Sequence, residues 1–451
     1  MRTINAEDIC SHGIEKKRKN LIDILSCGVD AVDPGIRTKS LVSIQSKSLY
    51  IGDSCHNLDE IENIYVVGSG KGSYPIVKEL VEILGDRITD GVLAVKKGDD
   101  RTLERIKIYR TGHPIPDTDS ITAAVKIMEV LQKAGEKDLV FAAITGGASA
   151  MTVIPPDGIS LEDLQITNEV LLKSGATIRE MNTVRRHLCK LKGGRLVKYA
   201  QPAHVYTITL DTVDEDIMPW PDMSKADPTT FKDAVEVLKT YDLADRIPRN
   251  VVQYLNEGTL HEEWETVKSL ENMRQTILSV GNPKTACEAA AKKAEQLGYQ
   301  AHILATHLEG ESAEAGIFLA GISNEILKNN RPFCMPCALI TGGETTVTIN
   351  GESGRGGPNM ELVLSYVNYM KAAHSWAIAS IDTDGTDGPT QYAGAIADPL
   401  TKHEIESEGF IIKDQLKKHA TEEVFLKTKN IINTGHTGTN VMNLRVVLIG
   451  G

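Results

Sequence analysis

Four glycine-rich loops and one basic segment hold the residues best suited to chemistry. The first loop, VVGSGKGS (66–73), sets Lys71 between Gly70 and Gly72, with Gly68 before them. Glycines let backbone N–H groups turn toward an anion, and the lysine adds a point charge. No glycine lies five residues before Gly70, so this is not a Walker A loop. A dinucleotide fingerprint would want glycine at Ser73 and an acid where Lys96 and Lys97 end the next apolar run. NADP tolerates that difference, so a dinucleotide stays an alternative, as does a turn with no ligand. The second loop, TGGASAM (145–151), nearly matches the nucleophile elbow, but Met151 replaces its last glycine. No partner histidine is evident. Gly146, Gly147 and Ser149 are read instead as an anion-binding turn.

The third loop repeats the letters ITGG, now at 340–343. Gly342 and Gly343 lead to Glu344 and to a hairpin-like arm, TTVTINGESG. That arm delivers Arg355 between Gly354 and Gly356, with little to pack against and free to reach a phosphate bidentately. The alternative is a mobile hairpin tip. The fourth cluster, DTDGTDGPTQYAG, holds Asp382, Asp384 and Asp387. An EF-hand fails at Thr386 and Ala393, and Asp-Gly pairs also serve turns. Mg²⁺ on a nucleotide needs only one or two carboxylates, so Asp384 and Asp387 are candidate metal ligands. Thr437 and Asn440, in TGHTGTN, form a further polar turn.

The net charge of −12 argues against nucleic acid, whose affinity comes from neutralised phosphates. A small anion needs only a local positive pocket. Residues 178–198 (IREMNTVRRHLCKLKGGRLVK) supply that exception, with eight basic side chains against Glu180. The periodicity predicts one helix ended by Gly193 and Gly194, with Val184, Leu188 and Leu191 inward and Arg185 and Lys192 on another face. A solvated basic face competes with an anion site. Seven cysteines show no framework; Cys334 and Cys337 lack the second pair that zinc wants. The N-terminus has no apolar signal core and no run is long enough to span a bilayer, so a cytoplasmic protein is expected.

These loops must be positioned by strands and helices in alternation. NIYVVGS, GVLAVKK, KIYRTG and DLVFAAI read as strands, SYPIVKELVEILG as an amphipathic helix, and SITAAVKIMEVLQKAG as a helix capped by Ser120 and stopped at Gly135. A Pro- and Asp-rich loop spans Asp214–Thr230. A second α/β pattern begins with a helix capped by Asn282, with Pro283 at its first position. The expected fold is α/β: a large Rossmann-like domain over 1–275 and a smaller α/β domain over 276–451, with a cleft between them.

Taken in order, the loops resemble the glycerate 2-kinases with a C-terminal MOFRL domain, formerly often labelled hydroxypyruvate reductases. The likeness is carried by VVGSGKG, GHPIPD, TGGASA, TIREMNTVRRHLCKLKGGRL, GGETTVTINGESGRGG, DTDGTDGPT and TGTNVMNLRV, and spans nearly the whole chain. It implies ATP- and Mg²⁺-dependent phosphorylation of the 2-hydroxyl of D-glycerate. Lys71 and Arg355 would be the catalytic pair. Ser149, Asn182, Arg185 and Arg195 would hold substrate carboxylate or nucleotide phosphates. Glu344 or an aspartate of 382–387 would position Mg²⁺ or the hydroxyl. Asp211, Asn359, Thr437 and Asn440 complete the candidate ligand contacts. The implied partners are a small anionic hydroxy acid and a nucleotide, with a homodimer as a candidate assembly. The chain departs from the pattern at Ala148, 218–227, Pro358, Met360 and His436. These departures keep another short hydroxy acid, an NAD(P)H-linked hydroxypyruvate reductase and a non-catalytic relative as alternatives.

Overall fold

Alternation of buried strands with amphipathic helices organises both halves of the chain. The computed structural model describes residues 3–211 and 222–451. Positions 212–221, which include the first part of the expected loop and of the 218–227 departure, lie outside the described residues. Two compact units form, one from Pro34–Val280 and the other from Met1–Asp33 with Gly281–Gly451. The sequence division had left the first 33 residues with the large domain; they belong to the C-terminal unit. The helix Glu15–Asp30 lays Leu21, Ile24 and Leu25 against Ala290, Ala294 and Leu444. Its fully buried Arg18 pairs with Asp398 at 2.7 Å and donates to Asn430. An apolar stripe says that a helix is covered, not by which core.

In the first unit a small antiparallel sheet, β1 (Val42–Gln45), β2 (Ser48–Ile51) and β3 (Ser54–Asn57), precedes the main one. The main sheet comprises β4 (Ile64–Ser69), β5 (Ile88–Lys96), β6 (Lys107–Thr111), β7 (Leu139–Ile144), β8 (His204–Leu210) and β9 (Gln275–Gly281), in the order β6-β5-β4-β7-β8-β9. Strands β4 to β8 pair in parallel. This is the doubly wound order of a Rossmann-like domain, as expected. The strand order reverses between β4 and β7, and ligands of such sheets bind beyond the carboxyl ends of the strands at that reversal. Every residue of β7, LVFAAI, is buried, the near-continuous apolar run of a parallel strand covered on both faces. The helix Thr118–Leu131 is capped by Asp117 rather than by Ser120. Ser120 occupies the third helical position and completes a reciprocal capping box, donating its N–H to Asp117 at 2.9 Å.

The second unit is built on β10 (Gln300–Ala305), β11 (Cys337–Gly343), β12 (Trp376–Asp382), β13 (Gly394–Ala397), β14 (Ile431–Ile432) and β15 (Asn443–Ile449), in the order β10-β11-β15-β12-β13-β14. Only β10 and β11 are parallel; the rest pair antiparallel. Helices Glu15–Asp30 and Pro283–Gln296 share one core with the sheet, and Ser312–Asn329 and Pro358–Tyr369 share another. Asn282 caps Pro283–Gln296 as expected. The expected hairpin-like arm forms no strand; Thr346 makes one isolated bridge with Glu311. Its alternating residues, among them the exposed Ile349, have no second strand to pair with. No helix of the described residues is long and apolar enough to cross a membrane.

Candidate active site

The topological reversal of the first unit falls on the first two glycine loops. Gly70 takes φ +121°, and a Cβ there would lie 2.3 Å from the Thr145 hydroxyl oxygen. The loops are laced together: Lys71 donates its N–H to the Gly146 carbonyl at 2.8 Å, Gly72 to Thr145 Oγ1 at 2.9 Å, and Ser73 to the Gly70 carbonyl at 3.3 Å. Of the 68–72 backbone expected to cradle an anion, the N–H groups of Lys71 and Gly72 are thus engaged within the protein. Gly68 is buried within β4, the N–H groups of Lys71 and Gly72 hold the neighbouring loop, and that of Ser73 bonds within its own. No hydrogen bond among the described residues uses the N–H of Gly146 or Gly147. The unspent donors thus sit on the second loop. The Lys71 side chain runs beside them, for a Cβ on Gly147 would lie 3.5 Å from Lys71 Cγ and 3.1 Å from the His113 ring. Burial and then the charges of Lys71 and Lys96 push His113 down to about 4, so it is neutral at pH 7. Sequence reading quoted the GHPIPD segment without singling out His113, because a histidine after a strand has no signature of its own.

Beside this corner lies a cavity of about 730 Å³, lined by Ser149, Asn168, Arg185 and Lys192 together with apolar walls from Pro114, Val153, Leu164 and Leu188. The helix here is shorter than predicted. Thr177 caps it, and it runs Ile178–His187, so Lys192 lies in the turn beyond it. Arg185 Nε donates to Asn168 Oδ1 at 2.8 Å, and a second N–H donates to Asn182 Oδ1 at 3.3 Å. Burial lowers the Arg185 guanidinium from its ordinary value, and no salt bridge to it occurs among the described residues. Ser149, Asn182 and Arg185 are thus brought together. Arg195 is not. It donates to the carbonyls of Arg186, Cys189, Lys192 and Trp264 and faces a different cavity. Its guanidinium ties off the turn after the helix, which corrects the expected ligand role. Asp211 is buried just past the end of β8.

In the second unit, Gly342 and Gly343 lie inside β11 and pack against segment 306–308, whose Leu308 donates its N–H to the Gly342 carbonyl at 2.9 Å. Glu344 follows on the exposed side. Arg355 is exposed but engaged, with Nε 2.9 Å from Glu422 and another N–H donating to the Pro389 carbonyl. The expectation of an unengaged arginine is corrected: a phosphate must compete with Glu422. Asp387 is fully buried. It accepts from the N–H and the side-chain amide of Asn359 at 2.9 and 3.0 Å and from the N–H of Met360 at 2.9 Å. Both oxygens therefore serve the first turn of the helix Pro358–Tyr369. Asn359 also bonds Ser380 and Asn443, so it belongs to this internal network. Asp384 accepts from Thr386 and Asn440, and Thr437 donates to the Thr383 carbonyl. Burial and then Asp384 raise the Asp382 carboxyl well above the usual range. Arg445, buried on β15 and lowered to about 10 by burial, donates to Thr345 at 2.9 Å. No group of three or more His, Cys, Asp or Glu among the described residues is placed to hold a metal. Asp387, with both oxygens committed, does not fit that role.

A doubly wound sheet with a lysine and unspent backbone donors at its reversal, plus a cationic pocket beside them, marks a phosphotransferase acting on a small anionic alcohol. The profile described as "Domain of unknown function (DUF4147)" matches residues 20–256, and that of the MOFRL family matches 337–443. A glycerate 2-kinase of Pyrococcus horikoshii is 40% identical over 390 residues, 86% of this chain and 87% of that protein. A D-glycerate 2-kinase of Thermotoga maritima is 34% identical over 96% of this chain and 99% of that one. The crystal structure of glycerate kinase from Thermotoga maritima superposes with a TM-score of 0.84 at 33% identity, covering 96% of this chain and all of that one (100%). The chain belongs to the glycerate kinase family, as its loops implied.

Proposed function

We propose that the chain transfers the γ-phosphoryl group of ATP to the 2-hydroxyl of D-glycerate, giving 2-phosphoglycerate and ADP. The observation that carries this reading is the corner of Lys71, Gly146 and Gly147 at the sheet reversal, opening beside the pocket of Ser149, Asn182 and Arg185. Phosphoryl transfer needs positioning and charge neutralisation more than covalent chemistry. The Gly146 and Gly147 N–H groups and Lys71 would take phosphate oxygens. Arg185 would take the acid's carboxylate. Arg355, released from Glu422, would add a second positive charge at the transferring group. Mg²⁺ would travel on the nucleotide phosphates, with Asp384 or Glu344 as its protein contact rather than Asp387. The strand order also suits a dinucleotide, which makes a hydroxypyruvate reductase the second reading. Against it, β5 ends in Lys96, and the following Lys97 pairs with Asp117 and Asp119.

The test incubates the protein with ATP, Mg²⁺ and a panel of C3–C5 hydroxy acids, scoring ADP and locating the phosphate by ³¹P NMR. NADH and NADPH loss with hydroxypyruvate is followed in parallel. Acceptor-dependent ADP and a 2-phospho product support the kinase; nicotinamide oxidation without ADP overturns it. Lys71→Ala and Arg355→Ala should each lower kcat by roughly 10²-fold or more with Tm unchanged. Near-full activity in both would remove them from the mechanism.

A further inference from the structure

Lys192 is a buried amine with no acid paired to it among the described residues. It is only 4% exposed and lines the 730 Å³ cavity; its carbonyl accepts from Arg195, but its amine makes no hydrogen bond or ion pair among the described residues. A buried ammonium without a partner is costly, which weakens its hold on the proton until an anion arrives. The nearby acids are committed elsewhere. Asp222 and Asp227 both pair with Arg186, at 2.5 and 3.2 Å. Glu169, at the pocket wall, pairs with Lys173 at 2.6 Å. Arg185, on the same wall, is oriented by two neutral amide oxygens that leave its charge intact. A guanidinium and an amine therefore face one largely apolar cavity, and no acid of the described residues pairs with either.

We propose that Lys192 is the anchoring residue of a carboxylate site in this cavity, gripping with Arg185 the acid group of a short 2-hydroxy acid. The site rests on the kinase reading for the identity of its ligand, but not for its chemistry as an anion receptor. The two groups divide the work. Arg185 is held in a fixed plane by Asn168 and Asn182 and offers directed N–H groups, while Lys192, protonated as the acid arrives, supplies a compact charge. The pocket's Ser149 hydroxyl adds a neutral donor, and the walls from Val153, Leu164 and Leu188 exclude water, which strengthens both contacts.

Lys192 also gives the site a signature that a merely structural lysine lacks. Burial lowers its pKa; the charges around it are Cys189, Asp222, Arg185 and Arg186, of which the two arginines lower it further. An arriving carboxylate reverses that balance and draws a proton onto the amine. Binding of D-glycerate to the full chain, without nucleotide, is measured by titration calorimetry at one pH in HEPES and in Tris, whose ionisation enthalpies differ. The wild type is expected to take up a proton on binding, read as a buffer-dependent enthalpy. Lys192→Met should weaken binding at least about tenfold and abolish the buffer dependence. Lys192→Arg should keep most of the affinity yet lose the proton uptake, because arginine is charged throughout. If Lys192→Met proves unfolded by its melting curve, the wild type and Lys192→Arg decide alone. Unchanged affinity and proton uptake in the variants, or no D-glycerate binding by the wild type, overturns the site. Lys192-dependent binding without ADP formation would leave the acid site standing and remove the kinase. Acceptor-dependent ADP with an unchanged KM in Lys192→Met would do the reverse.

Discussion

Replacing Asp387 by alanine separates a helix cap from a metal ligand. The wild-type carboxylate satisfies three N–H donors at the start of the helix Pro358–Tyr369, all buried and at 2.9–3.0 Å. A buried donor left unpaired costs about 1–3 kcal/mol, so three lost acceptors are worth roughly 3–6 kcal/mol once some relaxation is allowed. The carboxylate is itself expensive to bury. Burial outweighs these bonds and pushes Asp387 up to about 6 from 3.8. At pH 7 that shift amounts to about 3 kcal/mol against the ionised form, which alanine no longer bears. The difference leaves Asp387→Ala up to about 3 kcal/mol less stable, a fall of up to roughly 10 °C in the transition of the C-terminal unit. The pH dependence adds an independent check. With the folded pKa above the unfolded one, the folded state holds the extra proton between pH 4 and 6, so wild-type stability falls as pH rises through that window. The alanine variant should lack this slope. Calorimetric scans at pH 4.5, 6 and 7.5 read both effects, and activity is titrated against Mg²⁺ alongside. A variant with the wild-type Tm and a raised Mg²⁺ requirement would show that Asp387 holds metal and that the cap argument is wrong.

Two further outcomes follow from the first unit. His113 is held neutral with its pKa near 4, so between pH 6.5 and 4 the unfolded chain takes a proton that the folded one refuses. Stability is complete above pH 6.5 and declines below it; because the ring is only half-buried, the loss is about 1–2 kcal/mol rather than the full shift, and His113→Gln should remove it in scans across pH 4–7. Gly147→Ala places a Cβ 3.1 Å from the His113 ring at φ +92°, where alanine is strained by about 1–2 kcal/mol. It should raise KM for ATP roughly tenfold while far-UV circular dichroism stays unchanged; an unaltered KM would show that the Gly147 N–H does not face the nucleotide.

What the sequence made legible was what local periodicity and loop position determine. The run LVFAAI and the stripe Ile76, Leu80 and Ile83 declare strand and helix through their apolar pattern, although Leu84 rather than Ile83 is the one buried, and glycine loops after such strands fall at sheet ends because chain direction demands it. Which charged residue does what was not legible, because it depends on partners distant in sequence. Eight basic side chains crowd 178–198, yet Arg186 is consumed by Asp222 and Asp227, Arg195 by four carbonyls, and Lys190 by Asp157. Of these basic residues, Arg185 and Lys192 remain turned to the cavity; helical spacing put these two on one face, but it did not show that the others are consumed. Arg355 looked unengaged between two glycines, but Glu422 stands 67 positions later in the chain and reaches it.

The two ITGG segments make the same point at the level of backbone. In the first, β7 ends at Ile144 and the glycines leave the sheet, Gly147 at φ +92° with its N–H unspent beside Lys71. In the second, both glycines stay within β11, because β15 continues to pair with them through Leu444 and Asn443. The close approach of Leu308 requires a small residue there, and no ligand is needed to explain it. Identical letters thus end a strand in one sheet and extend it in the other, and the neighbouring strand decides. The first copy thus turns its glycines out of the sheet, and the second keeps them in it and positions Glu344 and the chain leading to Arg355.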